Sequence, residues 1–151
     1  MAWDSSHVEA GKFVAVHLHS LRVTLSGGVV IDLTRIDLND PVQWCEFHGV
    51  KVEDGIAYIY KAVDDEWTTD RGFDYSPGSK TVAPDWDPAK VCGYGLHFGA
   101  TPIHSRAYFP DATKFVRVGV RLESLVPLGD KCKAPAVVVA AVEVDVFGRV
   151  L

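Results

Sequence analysis

Near the start of the chain Val14, Val16 and Leu18 alternate with Ala15, His17 and His19, the period-2 pattern of a strand. The corner Ser26-Gly27-Gly28 follows and leads into a second apolar stretch, "VVIDL". Glycines there supply the positive φ angles of a tight turn, so residues 1–38 are expected to form an N-terminal β-hairpin. "NDPVQWCEFHG" offers Asn39 or Asp40 as an N-cap, Pro41 at the first helical position and Gly49 as a stop, which predicts a short helix over about 41–48. Alternation resumes in "VKVEDGIAYIYKAV", a second hairpin turning at Glu53-Asp54-Gly55, with Ile56, Tyr58 and Tyr60 on one face of the outgoing strand.

Between residues 64 and 90 the pattern is lost among Asp, Gly, Ser and Pro. So long an aperiodic stretch is either a functional lid or an irregular loop pinned by Trp67, Phe73, Tyr75 and Trp86. In "VCGYGLHFGATPIHSRAYF", glycines turn into a strand, then Thr101 caps a short helix begun by Pro102 and running to about Tyr108. "KFVRVGVRL" is the clearest half-buried strand, with Val116, Val118, Val120 and Leu122 on one face. "APAVVVAAVEVDVFG" begins as a continuous apolar run and ends in alternation, as expected of a central strand emerging toward solvent, with Glu143 and Asp145 on one face. The elements add up to a single α+β domain over residues 1–151, mainly antiparallel β with two short helices and no internal repeat.

Composition narrows the classes of function. A chain of 151 residues with 48% hydrophobic and 23% charged residues buries a core without disulfides or a metal. The net charge of -5 comes from mixed acidic and basic residues, so no basic stripe is present and nucleic acid is a disfavoured partner. No run approaches the roughly 18 apolar residues of a membrane span, and "MAWDSSHVEAGK" lacks the basic region and apolar core of a secretion signal. These features are read as those of a cytoplasmic protein, or of a component of a particle assembled there. Cys45, Cys92 and Cys132 are an odd, sparse set that suits reduced thiols.

The familiar enzyme signatures are absent: no phosphate loop, no strand-linked G-x-G-x-x-G, no H-E-x-x-H and no G-x-S-x-G elbow. Cys45 with His48 (C-x2-H) and Cys92 with His97 (C-x4-H) are residue types that suit tetrahedral zinc. Zinc ranks below the other readings, because the pairs lack the regular spacing of zinc modules and buried cysteine often serves as a plain apolar group.

"YIYKAV" at 58–63, the acidic and aromatic loop and "CGYGLHF" at 92–98 resemble an uncharacterised domain of phage and bacterial proteins over about residues 50–145. More distantly, "GYGLHFGATPIHSRAY" and the strands after it are similar to ADP-ribosyltransferases of the poly-ADP-ribose polymerase type. That resemblance implies NAD as cofactor, with Tyr108 stacking on nicotinamide, His97 in the place of a strand tyrosine and Gly95 at the cofactor-binding corner. It further implies that Glu143 holds a ribose hydroxyl and stabilises the oxocarbenium-like charge as nicotinamide departs. Lys61 stands near where that family has a histidine, and a lysine there grips a phosphate. The rival reading is a non-catalytic phage accessory or virion protein, binding a partner or its own copies through the aromatic-rich loop or an unpaired strand edge. Whether the chain is an enzyme stays open on sequence alone.

Overall fold

A glycine corner does form at Gly27 and Gly28, both with positive φ, but it does not close a hairpin. In the computed structural model, which describes residues 2–151, the chain divides into two units, Met1–Asp37 and Leu38–Leu151. The first contains β1 (His7–Glu9), β2 (Ala15–Leu18), β3 (Thr24–Ser26) and β4 (Val29–Asp32). β1 pairs with β3 and β2 with β4, in both cases parallel, with Val16 opposite Val30. The reason lies in the corners. Ala10 N–H donates to Ser26 O at 2.8 Å and Val29 N–H to Val14 O at 2.7 Å, so the second corner stacks on the first and the chain winds in rungs. Period-2 alternation identifies a strand without fixing its direction, which is why the expected hairpin is replaced by parallel pairing.

The second unit begins with α1 (Pro41–His48) as its cap signals predict: the Asp40 carboxylate accepts Gln43 N–H at 3.0 Å and Gly49 terminates it in the left-handed region. Trp44 and Cys45 are buried, and Trp44 Nε1 donates to Gly129 O at 2.7 Å. Then come β5 (Val52–Glu53), β6 (Ile56–Val63), β7 (Leu96–Gly99), α2 (Pro102–Arg106), β8 (Lys114–Arg121), β9 (Val126–Leu128), β10 (Lys131–Ala134) and β11 (Val139–Val144). Thr101 caps α2 by accepting His104 N–H at 3.1 Å, and the helix stops short of Tyr108. The strands form one antiparallel sheet in the order β11-β8-β6-β7-β10-β9, with β5 paired to β6. This is the expected α+β class, mainly antiparallel β with two short helices.

β8 lies along the whole of β6, placing Ile59 against Val118 and Ala57 against Val120. These residues, with Leu96, Phe98, Tyr75, Trp44 and Cys132, form the main core. Each fully buried valine or isoleucine there contributes about 1.5–3 kcal/mol.

β11, expected at the centre of a sheet, is at its edge. Its apolar run is covered by the 64–90 loop instead of another strand. Gly78 N–H donates to Ala141 O at 2.8 Å, Ala141 N–H to Ser79 O at 3.0 Å, and Val137 N–H to Thr81 O at 2.8 Å. The loop thereby masks an edge that would otherwise offer free backbone groups. Trp67, Phe73 and Trp86 pack on the core from that loop, and Tyr75 is buried within it. Among the described residues no helix is long and apolar enough to cross a membrane.

Candidate functional site

β6 is zipped along the whole of one edge, while along the other β5 pairs with its start, at Ile56 and Ala57, and its end stands open. Its register with β8 runs unbroken from Ile56 opposite Arg121 to Val63 opposite Lys114, whereas with β7 only Tyr60 and Gly99 pair. Gly99 is needed at that junction, because a Cβ there would sit 2.4 Å from the Ser105 backbone nitrogen and push α2 off the sheet. Beyond it β6 and β7 bound a cleft of about 250 Å³, whose lining includes Lys61, Arg71, Tyr75, His97, Tyr108 and Lys131.

Lys61 is the residue next to the junction. Its Nζ donates to His97 O at 2.6 Å, so a side chain supplies a bond that a closed ladder would have drawn from a backbone N–H. The rings of Tyr75 and Phe98 have their centroids 5.9 and 5.8 Å from the ammonium. Removal from water brings its pKa down to about 8, the nearby Asp70 opposing the shift and Arg71 and Lys131 adding to it. Among the described residues no carboxylate lies within ion-pair distance of it.

His97 is held neutral at physiological pH: burial brings its pKa down to about 4, against an opposing hydrogen bond with Gly93. Its Nε2 lies 3.2 Å from Gly93 N and 3.3 Å from Gly93 O. The Gly93 carbonyl also receives Lys133 Nζ at 3.3 Å, and whether Nε2 donates to that carbonyl or accepts from Gly93 N–H follows the ring tautomer. The other ring nitrogen, Nδ1, is buried without a hydrogen-bond partner among the described residues, and so is the Tyr75 hydroxyl. Buried polar groups in folded proteins are rarely left so. Burial also pushes the Tyr75 phenol well above its usual range, which makes it a hydrogen-bond donor rather than a proton donor.

At the mouth, Lys131 Nζ is 3.2 Å from Cys92 Sγ and 4.6 Å from the centroid of the Tyr108 ring. The hydrogen bond from Lys131 holds the exposed Cys92 thiol below its ordinary pKa. Tyr108 donates its hydroxyl to Asp130, and desolvation followed by that bond pushes its pKa up to about 12. Lys61, Arg71 and Lys131 thus face a lining whose one acidic residue is Asp70.

Lys61, Gly95, His97, Tyr108 and Cys92, all singled out in the sequence, line this cleft. Glu143 does not. It pairs with Val116, which in turn pairs with Lys61, so a fully buried valine stands between the carboxylate and the lysine in one cross-strand row. Gly95 has a structural reason to be glycine: at φ +152°, a Cβ would come within 2.9 Å of the Trp86 ring. The four candidate zinc ligands do not gather into one group: Cys92 and His97 share the cleft lining without Cys45 or His48. Cys45 is buried in α1, where burial pushes its thiol up to about 11, and the His48 ring packs against Trp44. Among the described residues no group of three or more His, Cys, Asp or Glu could hold a metal ion.

Sequence reasoning missed Arg71, Lys131 and Lys133. The two lysines had a signal, since in "KCKA" they alternate with Cys132 and Ala134 and share a face. Arg71 lies in the aperiodic loop and had none.

One family, a domain of unknown function (DUF7666), matches residues 57–146 of the chain. No curated protein and no solved structure matches it.

Proposed function

The chain belongs to the DUF7666 family, and because the matched span contains the whole lining of the cleft, we propose that this cleft binds a small anionic ligand. The observation that carries the proposal is the charge contrast: a protein of net charge -5 gathers Lys61, Arg71 and Lys131 around one cleft with only Asp70 opposing them. Arginine and lysine together suit phosphate or carboxylate oxygens, the arginine by two parallel bonds and the lysines as point charges. The unpartnered Tyr75 hydroxyl adds a neutral donor, so the lining is rich in donors.

At about 250 Å³ the cleft takes a phosphate, a short carboxylate or one end of a dinucleotide. NAD would meet these cations through its pyrophosphate. With Glu143 outside the lining and Tyr108 tied to Asp130 beneath Lys131, the proposal is one of binding, and transferase chemistry is no part of it. The aromatic loop contributes Tyr75, Phe73 and Arg71 to the lining and packs its tryptophans on the core, which favours a wall of the site over a partner-binding surface.

Thermal-shift and calorimetric titrations with pyrophosphate and with NAD test this reading. Pyrophosphate should raise the melting temperature, and Arg71→Met or Lys131→Met should each weaken its binding about tenfold, as expected for loss of one charge-assisted hydrogen bond. No stabilisation at about 10 mM pyrophosphate would remove the proposal.

A further inference from the structure

Lys61 is a poor choice of residue if its work is only to attract an anion. It sits on a central strand, its ammonium flanked by two rings, with one hydrogen bond to a neutral carbonyl and, among the described residues, no carboxylate partner. An arginine would hold oxygen atoms more firmly, since it stays charged in any surroundings. What lysine alone offers is a nitrogen that can lose its proton and attack. Lysines used as nucleophiles are found where apolar walls and neighbouring cations both disfavour the ammonium, and here the apolar walls are joined by Arg71 and Lys131 in the same cleft. Tyr75, whose ring lies against Lys61, brings a buried hydroxyl without a partner to that lining.

We propose that Lys61 forms an imine with a small α-oxo acid whose carboxylate is held by Arg71 and Lys131 and whose carbonyl oxygen accepts a hydrogen bond from Tyr75. This rests on the anion-binding reading of the cleft and deepens it. The lysine's depressed pKa, about 8, leaves a substantial fraction of the free amine just above neutrality. The ammonium first gives one proton to solvent. The nitrogen lone pair then forms the C–N bond while the carbonyl π pair moves onto oxygen, which takes up a proton. The resulting carbinolamine loses one proton from nitrogen and its hydroxyl takes up a second proton; the nitrogen lone pair then forms the C=N bond as the C–O bond breaks and water leaves, and loss of the last nitrogen proton gives imine plus one water with no change of oxidation state.

The test uses glyoxylate as the probe, with cyanoborohydride to trap the imine at about pH 8, and peptide mapping to locate the adduct. Lys61 should be labelled at least about tenfold faster than any other lysine, and pyrophosphate should protect it. Lys61→Arg should abolish the adduct at that position while the slow labelling of the exposed lysines stays at the wild-type rate. Tyr75→Phe, which keeps the ring and the packing, should slow labelling without changing the circular dichroism spectrum. Labelling spread evenly over exposed lysines in a protein that still binds pyrophosphate would overturn the inference and leave the binding reading standing. If pyrophosphate neither binds nor protects, the binding reading falls and this inference falls with it.

Discussion

The two edges of β6 are built from the same strand and behave oppositely. Toward β8, eight consecutive residues pair, and Ile59 faces Val118 with both fully buried. Toward β7, one pair forms and the next residue is a lysine whose ammonium bonds the facing backbone itself. The first edge carries apolar surface that is stabilised by closing. The second carries an ammonium, an imidazole and a phenol, groups that burial destabilises unless something polar meets them. The contrast teaches where stability and chemistry lie in this domain: the closed edge supplies the fold and the open edge spends some of that stability on a cleft.

Substitutions on the two edges should therefore separate stability from binding. The largest effect belongs to the closed edge. Ile59→Ala removes a fully buried side chain and should destabilise the domain by about 3 kcal/mol in denaturant unfolding, while pyrophosphate affinity measured below the melting transition stays close to wild type. A loss of affinity with no loss of stability would reverse the assignment of the two edges.

Lys61→Met is the converse and smaller change, and its signature is in pH. The lysine's folded pKa, about 8, lies below its ordinary 10.5, so the folded state disfavours the proton. That penalty is fully present below about pH 8 and is relieved as pH rises toward 10.5. Allowing for the partial exposure of Lys61 at the cleft, wild type should gain about 2 kcal/mol over that interval relative to the methionine variant. Parallel stability curves for the two proteins would show that Lys61 is an ordinary solvated lysine.

How much of this could be read from the chain follows from the same division. Elements fixed by local chemistry were legible: α1 ends where Asp40 and Gly49 cap it, and β8 buries the valines its alternation singles out. Elements fixed by what lies beside them were not. Val29–Asp32 is a strand by pattern, but its parallel partner is chosen by stacked corners that no periodicity encodes. β11 looks central because its run is apolar, yet the loop, not a strand, covers it.

The site divides likewise. Lys61, His97 and Tyr108 were visible as chemical residues in distinctive motifs, and they do meet at one cleft. Glu143 was placed by analogy with a strand order, and its actual row puts Val116 between it and Lys61. Arg71 could not be found, because its position depends on how an aperiodic loop folds back over the sheet.

The central claim is that β6, where it parts from β7, holds a lysine with no carboxylate partner among the described residues, ready for an anion. A direct measurement is the pKa of Lys61, followed by NMR of its labelled side chain with and without pyrophosphate. The account requires a value near 8 in the free protein, rising by about one unit or more when the anion is bound. A value near 10.5 that pyrophosphate does not move would contradict it.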